Sequence, residues 1–302
     1  MKKDLLGIND LTKEDIRAII TRAMAFKKDK GDTSYRTLLG KTIGLIFEKA
    51  STRTRVSFEA AMFQLGGNIT FLSTRDTQLA RQEPLADTAR VLSRYLDGLV
   101  IRTFAQDTVE ELAAHATIPL INGLTDLYHP CQILSDVMTV VEKKGAIENL
   151  RIAWVGDGNN VAHSWIEAAA TLGFSLSLAC PRGYGPRTDV LEPALKKAQK
   201  PLLLFEDPAK AVEGADVINT DVWASMGQED EAAERRKVFR PYQINSELLR
   251  RAKDDAIVLH CLPAHRGEEI TAEVLEGPQS VVFDQAENKL HVHKAILAMM
   301  IK

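Results

Sequence analysis

Ile43-Gly44-Leu45-Ile46-Phe47, Glu48-Lys49-Ala50, Ser51-Thr52-Arg53-Thr54-Arg55, then Val56 to Leu65 closed by Gly66-Gly67, is the stretch that decides the fold. An apolar run of strand length leads through a polar turn into helical spacing at Val56, Ala60, Met62, Phe63 and Leu65, and paired glycines end it. A second apolar run, Ile69–Leu72, follows at once. Strand, turn, helix, strand is a βαβ unit, which demands a parallel sheet. The pattern repeats outward from there. Gly98–Ile101 and Ile118–Ile121 complete a first set of strands. Ile152–Val155, Leu176–Cys180, Leu202–Phe205, Val217–Asn219, Ile257–Leu259 and Val281–Phe283 form a second. So many strands exceed one small core. The expected fold class is α/β, with two doubly wound domains, each a central parallel sheet flanked by helices.

The boundary falls after Pro130–Lys144. Its stripe of Ile133, Leu134, Val137, Met138 and Val141 reads as a helix, with Pro130 in the first turn and Gly145 at the end. The domains expected are residues 1–145 and 146–288, with a final helix over 289–302 folding back on the first. In open parallel sheets ligands bind beyond the carboxyl ends of the strands. The residues just after each strand are therefore the ones that matter.

Composition bounds the chemistry. The 302 residues carry 38 Lys+Arg against 41 Asp+Glu, a net charge of -3, which argues against a nucleic-acid binder. No apolar stretch is long enough to span a membrane. The N-terminal lysines lead into no apolar run of the kind a signal peptide needs. Cys131, Cys180 and Cys261 are too few and scattered for a disulfide framework, which fits a reducing, cytoplasmic setting. The mixed charges from Glu229 to Lys237 read as a solvated segment.

Several strand ends carry chemistry. Ser51 to Arg55 places hydroxyls and arginines at a strand-to-helix turn, where backbone N–H groups and the helix dipole favour an anion. The alternative is a Ser/Thr cap with two solvent-facing arginines. Arg102 follows one strand, and His129-Pro130-Cys131-Gln132 opens the linking helix. Val155-Gly156-Asp157-Gly158-Asn159-Asn160-Val161 resembles a dinucleotide fingerprint but lacks the third glycine, and no acidic residue ends the next strand for a ribose. No P-loop or zinc-protease motif is present, and His291 and His293 stand two apart on a helix, a poor metal pair. Asp221 precedes Ser225-Met226-Gly227, and His260-Cys261-Leu262-Pro263 ends another strand. Cys261 there is a nucleophile, a ligand or a small buried hydrophobe. With Asn160 these supply a carboxylate, a thiol and an amide, a set suited to a substrate with an amino group and an amino-acid head.

Read together and in order, STRTR at 51–55, Gln78, Arg102, HPCQ at 129–132, GDGNN at 156–160, DVWASMG at 221–227 and HCLP at 260–263 resemble the aspartate/ornithine carbamoyltransferase family over essentially the whole chain, on its ornithine side. The resemblance implies carbamoyl transfer from carbamoyl phosphate to L-ornithine, giving L-citrulline and phosphate. It implies no metal or cofactor, and a homotrimer with active sites at subunit interfaces. Ser51, Thr52, Arg53 and Thr54 would hold the phosphate. Arg102, His129 and Gln132, within the motif that includes Pro130 and Cys131, would hold the carbamoyl group. Gln78 would reach a neighbouring subunit's site. Asn160, Asp221, Ser225 and Met226 would contact ornithine, and Cys261 and Leu262 would lie between the substrates. Arg53, Arg102, His129, Asp221 and Cys261 would carry the chemistry. The SMG loop favours an amino-acid head group over a plain diamine. Two departures stand out. Lys289 takes the place of the family's usual arginine at the carbamoyl phosphate site, keeping the charge without the planar fork. Leu79-Ala80-Arg81-Gln82-Glu83 replaces a segment often rich in glycine.

Overall fold

The computed structural model describes residues 1–29, 32–73, 83–225 and 227–302. Gln78, the altered segment after it (through Gln82) and Met226 lie outside the described residues. The chain divides into two compact units, Met1–Met138 with Glu287–Lys302, and Thr139–Ala286. By this division the helices Pro130–Lys144 and Val282–Met300 are each shared between the two units.

In the first unit, helix α1 (Lys13–Lys28) precedes strand β1 (Thr42–Phe47), α2 (Thr52–Gln64), β2 (Asn68–Ser73), α3 (Leu85–Leu92), β3 (Gly98–Arg102), α4 (Gln106–His115) and β4 (Leu120–Leu124). All strand pairs are parallel, in the order β2-β1-β3-β4. The chain winds from β1 to one side and then crosses to β3 on the other. That reversal puts the ends of β1 and β3 side by side, the place where such sheets open a crevice. β1 is buried along Ile43–Phe47, as an inner parallel strand must be. The core behind the sheet includes Ile46, Ala89, Leu99, Ile101, Val109 and Leu112.

The apolar face of α2 is rotated from the expected stripe. Phe58, Ala61, Met62 and Leu65 are buried, an i, i+3, i+4, i+7 set, while Val56 is 54% and Phe63 77% exposed.

Helix α5 (Pro130–Lys144) passes from one unit to the other and ends at Gly145, whose φ of +82° admits the left-handed turn. The second unit runs β5 (Arg151–Val155), α6 (Asn160–Leu172), β6 (Ser175–Ala179), α7 (Thr188–Lys197), β7 (Leu202–Phe205), α8 (Pro208–Val212), β8 (Val217–Thr220), α9 (Ala232–Phe239), α10 (Ser246–Leu249), β9 (Ile257–His260) and α11 (Ala272–Leu275). Its sheet order is β7-β6-β5-β8-β9, again all parallel, and the winding reverses between β5 and β8.

The expected strand Val281–Phe283 is not one. A single bridge joins Val258 to Ser280, and then helix α12 (Val282–Met300) begins. The Gln285 N–H already donates to the Val281 carbonyl at 2.9 Å, so this apolar triplet serves the start of a helix. The segment 229–237 is likewise not simply solvated, because α9 turns Arg235 inward to 6% exposure.

Candidate active site

The first cluster gathers at the ends of β1 and β3. Ser51 caps α2, its Oγ accepting from the Thr54 N–H at 3.2 Å. The cap reading is therefore true of its oxygen, yet the Ser51 hydroxyl hydrogen remains a donor. Thr54 is 1% exposed, and its Oγ1 finds no hydrogen-bond partner among the described residues. Thr52 and Arg53 are exposed at the same helix start. Arg102 closes β3, buried at 5%, beside an irregularity where Ile101 pairs with Asn122 but Arg102 with Leu124. Irregularities of this kind re-aim a side chain at the end of a ladder.

His129 and Gln132 are buried at the start of α5. Gln132 Oε1 accepts from Lys289 Nζ at 3.1 Å, and its Nε2 donates to Asp136 Oδ1 at 2.8 Å. Burial, with Lys289, Arg102 and His293 nearby, holds the His129 imidazole well below the usual histidine range. His129 is thus a neutral donor within a cationic cluster. Cys131 points elsewhere. Its side chain is wholly buried and reaches the Asn122 carbonyl at 3.4 Å, and burial pushes its thiol up to about 12. Cys180 is pushed up to about 12 for the same reason. Neither is a thiolate nucleophile at neutral pH.

Histidine burial gives a pH prediction. His293 stacks on Phe58 with ring centroids 3.7 Å apart, and burial first, then Lys289, keeps it well below the usual range, like His129. Unfolded imidazoles take a proton near pH ~6.5, whereas these two stay neutral to much lower pH. The unfolded state then binds more protons, so stability falls as pH drops below about 6.5, by up to ~1.4 kcal/mol per pH unit per histidine. The melting midpoint should decline over that range, and less steeply in His293→Gln. An unchanged midpoint in both would show the imidazoles charged in the fold.

The second cluster forms at the ends of β5, β8 and β9. The Asp221 carboxylate is buried and accepts from Asn159 Nδ2 at 2.9 Å, the Val222 N–H at 2.8 Å and the Cys261 thiol at 3.0 Å. Asn159 also caps α6, its Oδ1 accepting from the Val161 and Ala162 N–H groups. Asn159 thus orients Asp221. Leu262 adopts a φ of +57°, and its N–H donates to His260 Nδ1 at 2.8 Å. A backbone N–H only donates, so the neutral ring carries its proton on Nε2, which donates to the fully buried Glu269 at 2.9 Å. This His260–Glu269 pair and Asn159 were not singled out by sequence; HCLP and GDGNN contained the signal without revealing the partners. Ser225 is half-buried, its N–H donating to Gln228 Oε1 at 3.0 Å.

Asp221, His260 and Cys261 converge closely enough for a metal, and so do His265, Glu268 and Glu269. In both sets hydrogen bonds among the residues themselves or to neighbours account for much of that closeness, Cys261 to Asp221 and Arg236 to Glu268 among them.

These features define a two-unit α/β protein: one unit gathers hydroxyl, guanidinium, imidazole and amide groups at its switch point, the other a hydrogen-bonded carboxylate and thiol. Family models match the chain as the aspartate/ornithine carbamoyltransferase carbamoyl-P binding domain at residues 3–142 and the Asp/Orn binding domain at residues 148–300. The chain belongs to the aspartate/ornithine carbamoyltransferase family. It is 62% identical to the ornithine carbamoyltransferase of Desulfotalea psychrophila, covering 98% of each chain, and 61% identical to that of Syntrophus aciditrophicus, covering 100% of each. Among solved structures, ornithine carbamoyltransferase from Pyrococcus furiosus is 53% identical with a TM-score of 0.95, over 99% of this chain and 96% of that one.

Proposed function

We infer that this protein transfers the carbamoyl group of carbamoyl phosphate to the δ-amine of L-ornithine, giving L-citrulline and phosphate, a reaction of arginine metabolism. The observation that carries this is the 62% identity, end to end, with a relative named ornithine carbamoyltransferase. The first unit takes carbamoyl phosphate and the second takes ornithine.

The chemistry follows from the residues. Carbamoyl phosphate carries its own leaving group, so no protein nucleophile is required, in keeping with the inert Cys131. The amine forms a bond to the carbamoyl carbon, the bond from that carbon to the phosphate oxygen breaks, and the amine loses a proton. A free δ-amine resembles lysine, with a pKa of about 10.4, and is mostly protonated at neutral pH. Asp221 and Cys261 orient it for reaction, and Asn159 holds Asp221 in place. Arg53, Ser51, Thr52 and Thr54 receive the phosphate. Arg102 and neutral His129 stabilise charge growing on the carbamoyl oxygen. Asn160, Ser225 and Met226 take the amino-acid head, and Leu262 and Lys289 complete the carbamoyl phosphate side.

No helix among the described residues is long and apolar enough to cross a membrane, and we place the enzyme in the cytoplasm. We further propose a homotrimer in which Gln78 serves a neighbouring site.

The purified protein should form citrulline from carbamoyl phosphate and ornithine, and should not carbamoylate putrescine or acylated ornithine. Activity with another amine alone would overturn the substrate assignment. Light scattering should give three times the mass of one chain.

A further inference from the structure

Gln132 lies between two buried groups of opposite character. Asp136 stands one turn along α5, fully buried, and Lys289 on α12 is 5% exposed. Lys289 Nζ donates to Gln132 Oε1 at 3.1 Å, and Gln132 Nε2 donates to Asp136 Oδ1 at 2.8 Å. The turn of α12 that carries Lys289 is itself tied down, since Lys27 Nζ donates to Asn288 Oδ1 at 2.8 Å.

The two ends of a primary amide are nearly the same in shape, so packing alone does not choose between them. Chemistry does. An ammonium has only donors and a carboxylate only acceptors. Turning the Gln132 amide over would set its NH₂ against Lys289 and its oxygen against Asp136. Two hydrogen bonds would be lost and two like dipoles opposed, all away from water. One N–H and one oxygen lone pair of Gln132 then remain in fixed positions.

We propose that Asp136 and Lys289 are positioning residues that lock the Gln132 amide in one orientation, and that this lock lets the site tell a carbamoyl group from an acetyl group. The proposal rests on the carbamoyl phosphate reading above. A carbamoyl group offers N–H donors to the fixed Gln132 oxygen. An acetyl group presents a methyl there and leaves the remaining lone pair of that buried oxygen unmet. Sites built to hydrogen-bond a substrate group reject analogues that lack it. Lys289, in place of an arginine, thus acts through Gln132 with a single donor.

The test compares carbamoyl phosphate, acetyl phosphate and inorganic phosphate as ligands, by calorimetry and by competition in the citrulline assay. Asp136→Asn is nearly isosteric but accepts either face of the Gln132 amide. It should weaken carbamoyl phosphate by about tenfold, the scale of one hydrogen bond. Acetyl phosphate and inorganic phosphate should change little, so the carbamoyl-to-acetyl ratio should fall by the same factor. The KM for ornithine should stay within about twofold, because Asp136 holds the Gln132 amide and is none of the residues assigned to ornithine. Lys289→Met should act in the same direction, and Lys289→Arg should keep the wild-type ratio. A ratio unchanged in Asp136→Asn and Lys289→Met, with all three ligands weakened together, would reduce both residues to a structural role and overturn the proposal. Should Asp136→Asn fail to fold in a melting scan, the Lys289 pair decides. The ratio is read by binding, so a wild type that binds and discriminates but makes no citrulline would sink the functional reading alone.

Discussion

Arg102→Met is expected to lower kcat/KM for carbamoyl phosphate by about 10²–10³, the effect of removing one preorganised donor from a developing oxyanion. Arg102 is buried at 5% at the last position of β3, beside the irregular pairing that breaks the ladder there. Its charge is therefore screened little by water. Methionine keeps much of the apolar stem that packs along the strand, so the fold should survive with a small loss. A second consequence identifies the cause. Arg102 is one of the cations that depress His129, after burial and Lys289. Its removal should move the His129 titration upward toward the ordinary histidine range, a shift readable by NMR of the imidazole. A variant that keeps more than about a tenth of wild-type kcat/KM would show that charge at this strand end is not what stabilises the transition state.

Much of this architecture is written in the sequence because parallel strands buried on both faces read as continuous apolar runs, and Ile43–Phe47 is one. The same logic misreads Val281–Phe283. Three apolar residues suit a strand or a helix start, and only the bond from Gln285 to Val281 separates them. On α2, Phe63 looks like core by composition yet is 77% exposed, because the buried face of the helix is the one that carries Phe58, stacked on His293. The site shows the same division. The hydroxyls and arginines of Ser51 to Arg55 advertise themselves at a strand end, where the structure places them at the start of α2. Asn159 and Asn160 are indistinguishable as letters, and only the cap geometry assigns the first to Asp221. Asp136 reads as one more polar residue in a helix until Lys289, far along the chain, is placed at the other end of Gln132.

Arg235→Met should cost the second unit ~3–5 kcal/mol, the range seen when one partner of a buried ion pair is removed. Within a run of mixed charges, Arg235 reads as solvated, yet it gathers several segments. Its Nη1 donates to Asp157 Oδ2 at 2.8 Å and to the Trp223 carbonyl at 2.9 Å, and its Nε to Glu231 Oε2 at 3.0 Å. The guanidinium also lies 5.0 Å from the centre of the Tyr184 ring, a cation–π distance. Burial already pushes the Asp157 carboxyl above the usual range despite this partner. Without Arg235 it would take up a proton rather than stay charged, which keeps the loss toward the lower end at mildly acid pH. The Trp223 carbonyl ties the arginine to the loop that continues to Ser225, so the KM for ornithine should rise by at least about tenfold, one hydrogen-bonded charge's worth. Carbamoyl phosphate binding should not follow, because its phosphate- and carbamoyl-holding residues, Ser51 to Thr54, Arg102, His129 and Gln132, belong to the first unit. Arg235→Lys keeps the charge but has no fork to serve Asp157 and Trp223 together, so it should fall between wild type and Met on both measures. Denaturant unfolding and steady-state kinetics with each substrate varied will show this. A loss under about 1 kcal/mol with an unchanged ornithine KM would mean the pair is no more than a surface ion pair in its energetics.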